Sequence, residues 1–238
     1  MSLSTTFSEA VDLIRRNVYA LLVIGAIVFV PGDFITALID DTRGWGDVSI
    51  GRVALFTVVL LLLWTLAYAA AIAAIAVEPE GAEEQPRTPL LALRDAGRRW
   101  PTLLAILVIG GIATLAGFAL LVVPGVVLVT WWSLAYQSAL VESTGWRASL
   151  GRSRGLVRGS FWLVLVVLVV VTVAIALFDY AVYRIADASL PGLAAGWVAG
   201  IISDTFAVAV PAAFTTAVYW QLSGYRTGSP SDPSAEAG

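Results

Sequence analysis

Charged residues drop out of this chain in long blocks, and the blocks are the size of a membrane crossing. Twenty-five uncharged residues separate Arg52 from Glu78, 42 separate Arg99 from Glu142, 20 separate Arg158 from Asp179, and 21 separate Asp204 from Arg226. A helix needs about 20 apolar residues to cross the hydrocarbon core. The 42-residue block therefore holds two crossings, with the reversal expected at Pro124-Gly125, where proline ends one helix and glycine permits the turn. An earlier crossing is less clean: residues 17–32 are uncharged, then Asp33 interrupts before Phe34–Ile39. It reads as one helix over about 18–39, kinked by Pro31-Gly32-Asp33 near its outer end. The pattern predicts an all-α polytopic bundle of six transmembrane helices, at about 18–39, 53–77, 102–123, 126–141, 160–179 and 203–222. These make a single membrane domain of residues 1–226, followed by a polar tail, 227–238, of the composition of a disordered segment.

The arginines orient the bundle. All 14 basic residues are arginine, and the six crossings divide them into two alternating sets. Arg15, Arg16, Arg87, Arg94, Arg98, Arg99, Arg147, Arg152, Arg154, Arg158 and Arg226 fall on one side; Arg43, Arg52 and Arg184 fall on the other. The positive-inside rule puts the larger set, and with it both termini, in the cytoplasm. Asp33, Asp40, Asp41, Asp47, Asp179, Asp187 and Asp204 then lie on or near the outer side. An acidic cluster in the loop after the second crossing, Glu78, Glu80, Glu83 and Glu84, weighs little in this rule. Arg15-Arg16 ahead of an apolar stretch resembles a secretory signal, but no small-x-small cleavage site follows, so the first helix is expected to be retained.

An internal repeat is visible in the second helix of each pair. Trp64-Thr-Leu-Ala-Tyr-Ala-Ala-Ala71 matches Trp132-Ser-Leu-Ala-Tyr-Gln-Ser-Ala139, with a fainter echo in Thr216-Ala-Val-Tyr-Trp220. The segments that precede each pair match as well. Arg87, Arg94 and Arg98 are spaced i, i+7, i+11, as are Arg147, Arg154 and Arg158, and positions so spaced fall within about 40° on a helix. Trp146, Leu150, Val157 and Phe161 form an apolar stripe opposite in character to those arginines. An apolar stripe with an arginine stripe is the pattern of a helix lying among lipid headgroups. The predicted architecture is three hairpins, each preceded by an interfacial amphipathic helix. The six spaced arginines are candidate ligands for anionic lipid, or else topological anchors only.

Composition removes most catalytic chemistry. The chain has no cysteine and no histidine, so disulfides, thiolate sites and the commonest general base are missing. Gly151-Arg-Ser-Arg-Gly155 has the form of a hydrolase nucleophile elbow, but it lies in a predicted helix without a histidine base. Gly151, Gly155 and Gly159, like Gly192, Gly196 and Gly200, instead have the spacing at which helix backbones approach closely. Asp33, Asp179 and Asp204 are the acidic residues nearest membrane depth. They are a candidate ion or solute site if the repeat brings them together, or solvated caps if it does not. Glu142 is placed to pair with an arginine of the following helix, and Trp100, Trp146, Trp162 and Trp220 to form an interfacial belt.

From Ala92 to about Val170 the chain resembles a widespread prokaryotic family of six-span membrane proteins. That family is related to the membrane domain of glycerophosphoryl diester phosphodiesterases. The resemblance rests on Val123-Pro-Gly-Val126, Trp132-Ser-Leu-Ala-Tyr136, Glu142, and Ala148–Gly159 leading into Phe161-Trp162. It implies a membrane module in a prokaryotic cell membrane without a settled activity, and it carries over no catalytic residue. The expectation is a non-enzymatic structural or accessory protein, without cofactor or metal and without nucleic acid. Its partners would be membrane lipids, anionic ones included, a second copy, or other membrane proteins. The alternative is a small transporter or permease component with a path between the hairpins.

Overall fold

The computed structural model describes residues 3–42, 50–76 and 88–224, and their regular structure is entirely helical. In chain order the α-helices are α1 (Leu3–Thr42), α2 (Ile50–Ala76), α3 (Pro89–Arg98), α4 (Trp100–Ala105), α5 (Gly111–Leu120), α6 (Val122–Trp132), α7 (Ala135–Val141), α8 (Trp146–Arg158), α9 (Phe161–Ser189) and α10 (Leu193–Ser223). A π-helical turn, Ile106–Gly110, joins α4 to α5 in one continuous rod. Five helices are long and apolar enough to cross a membrane by length and composition: Leu3–Thr36, Ala54–Ala76, Trp100–Leu120, Phe161–Ser189 and Leu193–Ser223.

The first element differs from expectation. No helix boundary precedes residue 18; the amphipathic start and the apolar run form one helix that continues through Pro31. Nothing between Leu3 and Arg16 breaks a helix, and Phe7, Ala10 and Leu13 share one face. That face packs on α10. Phe7 meets Phe214 edge-on at 5.1 Å, Thr6 donates to Gln221 Oε1 at 3.0 Å, and Gln221 Nε2 donates to Glu9 at 2.7 Å. Farther along the pair, the Trp197 indole N–H donates to the Val30 carbonyl at 3.0 Å and the Trp197 ring meets Phe34. Rising positions on α1 meet falling positions on α10, so the two helices are antiparallel along most of their length. They cross most tightly at Gly25, where an added Cβ would sit 2.3 Å from Thr205 Oγ1.

The predicted fourth crossing, 126–141, is not one helix. α6 and α7 are 11 and 7 residues long, separated at Ser133-Leu134. The reversal before α6 also moves. It lies at Leu121, whose extended backbone (φ −163°, ψ 149°) links α5 to α6, and Pro124 is already helical. Proline is tolerated in a first turn because the N–H there has no intrahelical acceptor. Gly125 serves close approach instead of the turn. A Cβ there would lie 2.4 Å from the Phe118 ring, and one at Gly117 would lie 3.0 Å from the Gly125 nitrogen.

Burial is uneven. It concentrates in Ala67 and Ala69–Ala76 of α2, in the second half of α10, and in Leu134–Leu140. Small side chains there let the helix backbones come together and pack closely. By contrast Val166, Val169, Val170, Val173 and Leu177 of α9, and Leu115 and Leu120–Val123 at the α5–α6 turn, are exposed apolar residues. Such a surface suits contact with acyl chains.

Candidate functional site

The spaced arginines lie on two short helices, α3 and α8, that precede long apolar rods. Both are strongly amphipathic. α3 buries Pro89, Ala92 and Ala96, and α8 buries Ser149, Leu150, Ser153 and Val157. Arg94 and Arg98 of α3 and Arg147, Arg154 and Arg158 of α8 are exposed, while Arg87 lies outside the described residues. The Arg154 guanidinium sits 4.4 Å over the Trp131 ring, and that of Arg147 4.9 Å over Trp146. These contacts lay the guanidinium heads on indole faces, and both arginines remain exposed to their surroundings. Of the expected tryptophan belt, Trp162 is exposed but Trp220 is buried.

Ser153, the centre of the Gly-x-Ser-x-Gly match, is fully buried and structural. Its hydroxyl donates to the Trp131 carbonyl at 2.7 Å and accepts the Leu134 N–H at 3.1 Å. These are backbone groups at the α6–α7 break, where the helical ladder is interrupted and water is scarce. One side chain of α8 therefore satisfies the gap, as apolar surroundings require. The glycines beside it do not have the close-packing role expected of them. A Cβ at Gly151, Gly155 or Gly159 would meet nothing within 4 Å, so no helix approaches that face. Gly200 does have that role, since a Cβ there would lie 3.0 Å from Asp33 Cγ.

Glu142, the C-cap of α7, ties three elements together. Arg152 Nε of α8 donates to its Oε1 at 2.9 Å, and the Tyr219 hydroxyl of α10 donates to the same oxygen at 2.6 Å. Burial pushes the Glu142 carboxyl up, but the bonds from Tyr219 and Arg152 and the Arg152 charge outweigh it and hold it below its ordinary 4.5. A depressed folded value means the contribution is present above the unfolded value and lost as pH falls through the folded one. Glu142→Gln is therefore expected to cost about 1.5–3 kcal/mol at pH 7, the range of hydrogen bonds to a charged group. The difference from wild type should close below pH 4.5, read as thermal unfolding in detergent across a pH series.

From Glu142 a seam of polar groups runs through the apolar core. Gln137 Nε2 donates to Thr215 Oγ1, and the Tyr68 hydroxyl lies 3.0 Å from the same oxygen. Thr215 spends its own proton on the Pro211 carbonyl at 2.6 Å, so Tyr68 is the donor. Tyr68 and Tyr136, the tyrosines of the two Leu-Ala-Tyr segments, meet edge-on at 5.6 Å. Next along α2, Trp64 neighbours Asp204, and Asp204 neighbours Asp33 across the α1–α10 seam. Asp179 of α9 is close enough to Asp204 to act on it electrostatically. From Tyr219 to Asp204 the seam follows 15 residues of α10, about 22 Å at 1.5 Å per residue.

The structure thus brings Asp33, Asp179 and Asp204 into one neighbourhood, and all three lie within candidate spans. Asp204 sits eleven residues past Leu193, deeper than the helix start at 203 expected from sequence. No metal-binding group of three or more carboxylates forms among the described residues. No family model matches the chain, and neither curated proteins nor solved structures provide a match.

Sequence reasoning missed the Ser153 tie, the Gln137–Thr215–Tyr68 cluster and the Arg99 clasp. The Arg99 guanidinium donates to the Ala139 carbonyl at 3.0 Å and to Ser143 Oγ, joining the α3–α4 corner to the end of α7. Gln137, a lone amide in an apolar run, was the available signal for the core cluster.

Proposed function

We propose that the chain is a six-crossing membrane module, three hairpins with both termini cytoplasmic, that holds anionic lipid headgroups on its basic cytoplasmic side. The α6–α7 pair is the broken fourth crossing, and the family resemblance of residues 92–170 is kept as part of this reading. We assign it no catalytic step; its role is structural or accessory, in a prokaryotic cell membrane. The observation that carries the reading is the exposure of Arg94, Arg98, Arg147, Arg154 and Arg158 on two helices whose other faces are buried in the bundle. A helix so placed presents fixed positive charge at headgroup depth, worth about 1 kcal/mol per arginine near an anionic surface.

The test is native mass spectrometry of the protein extracted in mild detergent from membranes containing phosphatidylglycerol. Wild type should retain this lipid. Changing Arg94, Arg98, Arg154 and Arg158 together to Gln should lower retention by about tenfold or more, from the per-residue value above. Equal retention by both proteins would reduce the arginines to topological anchors. The alternative, a solute or ion path between hairpins, is favoured by a different observation, the proximity of Asp33, Asp179 and Asp204.

A further inference from the structure

The α4–α5 rod and the α6–α7 pair lose α-helical order at the same level. In the rod the π turn Ile106–Gly110 interrupts the helix, and Gly111 follows Gly110 directly. In the other limb α6 stops at Trp132 and α7 begins at Ala135. The two interruptions face each other, since a Cβ at Gly110 would lie 3.9 Å from the Trp132 ring. The second break is loosened from its α6 side. Thr130 donates to the Val126 carbonyl at 2.8 Å and Ser133 to the Thr130 carbonyl at 2.9 Å, side-chain bonds of the kind that bend helices. π turns and gaps in the hydrogen-bond ladder are where helices kink.

Packing differs on the two sides of these breaks. On the far side α5 packs principally on α6, with Gly117 against Gly125 and Gly125 against the Phe118 ring. The rest of that pair is open: Ile112, Leu115, Leu120 and Val123 are all more than 60% exposed. On the near side Leu103, Ala135 and Ala139 are fully buried, and Arg99 clasps the Ala139 carbonyl and Ser143. A self-packed pair joined to a fixed base through two facing breaks has the construction of a hinged arm.

α8 grips this arm at its pivot in two ways. Ser153, on the buried face, holds the Trp131 carbonyl and the Leu134 N–H. Arg154, the next residue, lays its guanidinium 4.4 Å over the Trp131 ring and is exposed. A guanidinium stacked by its face keeps its N–H edge free, and that edge matches a phosphate in a bidentate, charge-assisted contact. A phosphate arriving from the headgroup layer therefore adds to the stack and orders it. We infer that residues 111–132 form a rigid arm that swings about the paired breaks, and that an anionic phosphate on Arg154 locks it to α8. The lock rests on the proposed hold on anionic headgroups; the arm does not.

The test measures distances between spin labels on introduced cysteine pairs, the chain having no cysteine of its own. The full chain is placed in vesicles of phosphatidylcholine, alone, with phosphatidylglycerol, or with inorganic phosphate in solution. Leu121→Cys with Leu55→Cys spans from the arm's tip to α2, both positions exposed; Ile112→Cys with Val123→Cys lies within the arm. The within-arm distance should be narrow and unchanged throughout. The tip-to-α2 distribution should be broad in phosphatidylcholine and collapse to one population with phosphatidylglycerol. Arg154→Gln should keep it broad in both, whereas Arg158→Gln, one turn along the same face, should narrow as wild type does. A tip distribution as narrow as the within-arm one in phosphatidylcholine would overturn the arm. Equal narrowing in wild type and Arg154→Gln would overturn the lock, and narrowing by inorganic phosphate alone would overturn the lipid as its source. Phosphatidylglycerol retained in native mass spectra without any change at the tip would sink the lock and leave the headgroup reading standing.

Discussion

Ser153→Ala should lower stability by about 2–6 kcal/mol. The estimate counts two backbone groups left unpaired at about 1–3 kcal/mol each. The Trp131 carbonyl and Leu134 N–H stand at the break between α6 and α7, and Ser153 Oγ is the group that bonds both. A water replacement is costly to place, since Leu134 and Ser153 are fully buried. Ser149→Ala is the control. That residue is equally buried on the same helix, but its hydroxyl bonds only the neighbouring Gly145 carbonyl and Thr144. Removing it leaves the α6–α7 break intact. Loss of helical circular dichroism on heating in detergent should come at a clearly lower temperature for Ser153→Ala than for Ser149→Ala. Equal midpoints would mean that the break is satisfied some other way.

The same residue illustrates what a sequence reveals here and what it hides. The five long apolar helices were legible because a stretch without charge leaves a mark in every window of the chain. The basic faces of α3 and α8 were legible because helical spacing puts Arg94 with Arg98, and Arg147 with Arg154 and Arg158. The α6–α7 break left no such mark. Residues 126–141 are uncharged and largely apolar, and hydropathy does not distinguish a continuous helix from two pieces joined by a serine elsewhere. The boundary expected before residue 18 failed for the converse reason: amphipathic and apolar stretches fuse when no residue between them breaks the helix. Gly-x-x-x-Gly spacing misled at Gly151–Gly159, because spacing shows that a close approach is possible and not that a partner is there. The three aspartates were grouped from depth alone, but the approach of Asp33 to Asp204 depends on the α1–α10 register, set by Gly25, Gly200 and Trp197 far apart in sequence. Arg87, the Glu78–Glu84 cluster and the tail 227–238 lie outside the described residues.

The central claim is that the arginine-bearing helices share one side of a membrane, with the α5–α6 turn and the α9–α10 link on the other. The chain has no cysteine, so each introduced cysteine reports alone. Gly97 of α3 and Gly155 of α8 have open space around a new side chain, and Leu121 in the α5–α6 turn is 69% exposed. Leu190 follows α9 at the reversal into α10. These four positions bracket every crossing from α4 to α9 and can be substituted without invading the core. The expected effect is all or none, because a membrane-impermeant maleimide either reaches a thiol or does not. We would label the four single-cysteine variants in intact cells and again after opening the membrane. Leu121→Cys and Leu190→Cys should react in intact cells, and Gly97→Cys and Gly155→Cys only after opening. Reaction of Gly97→Cys or Gly155→Cys in intact cells, or of Leu121→Cys only from the same side as Gly155→Cys, would contradict the six-crossing, arginine-inside account.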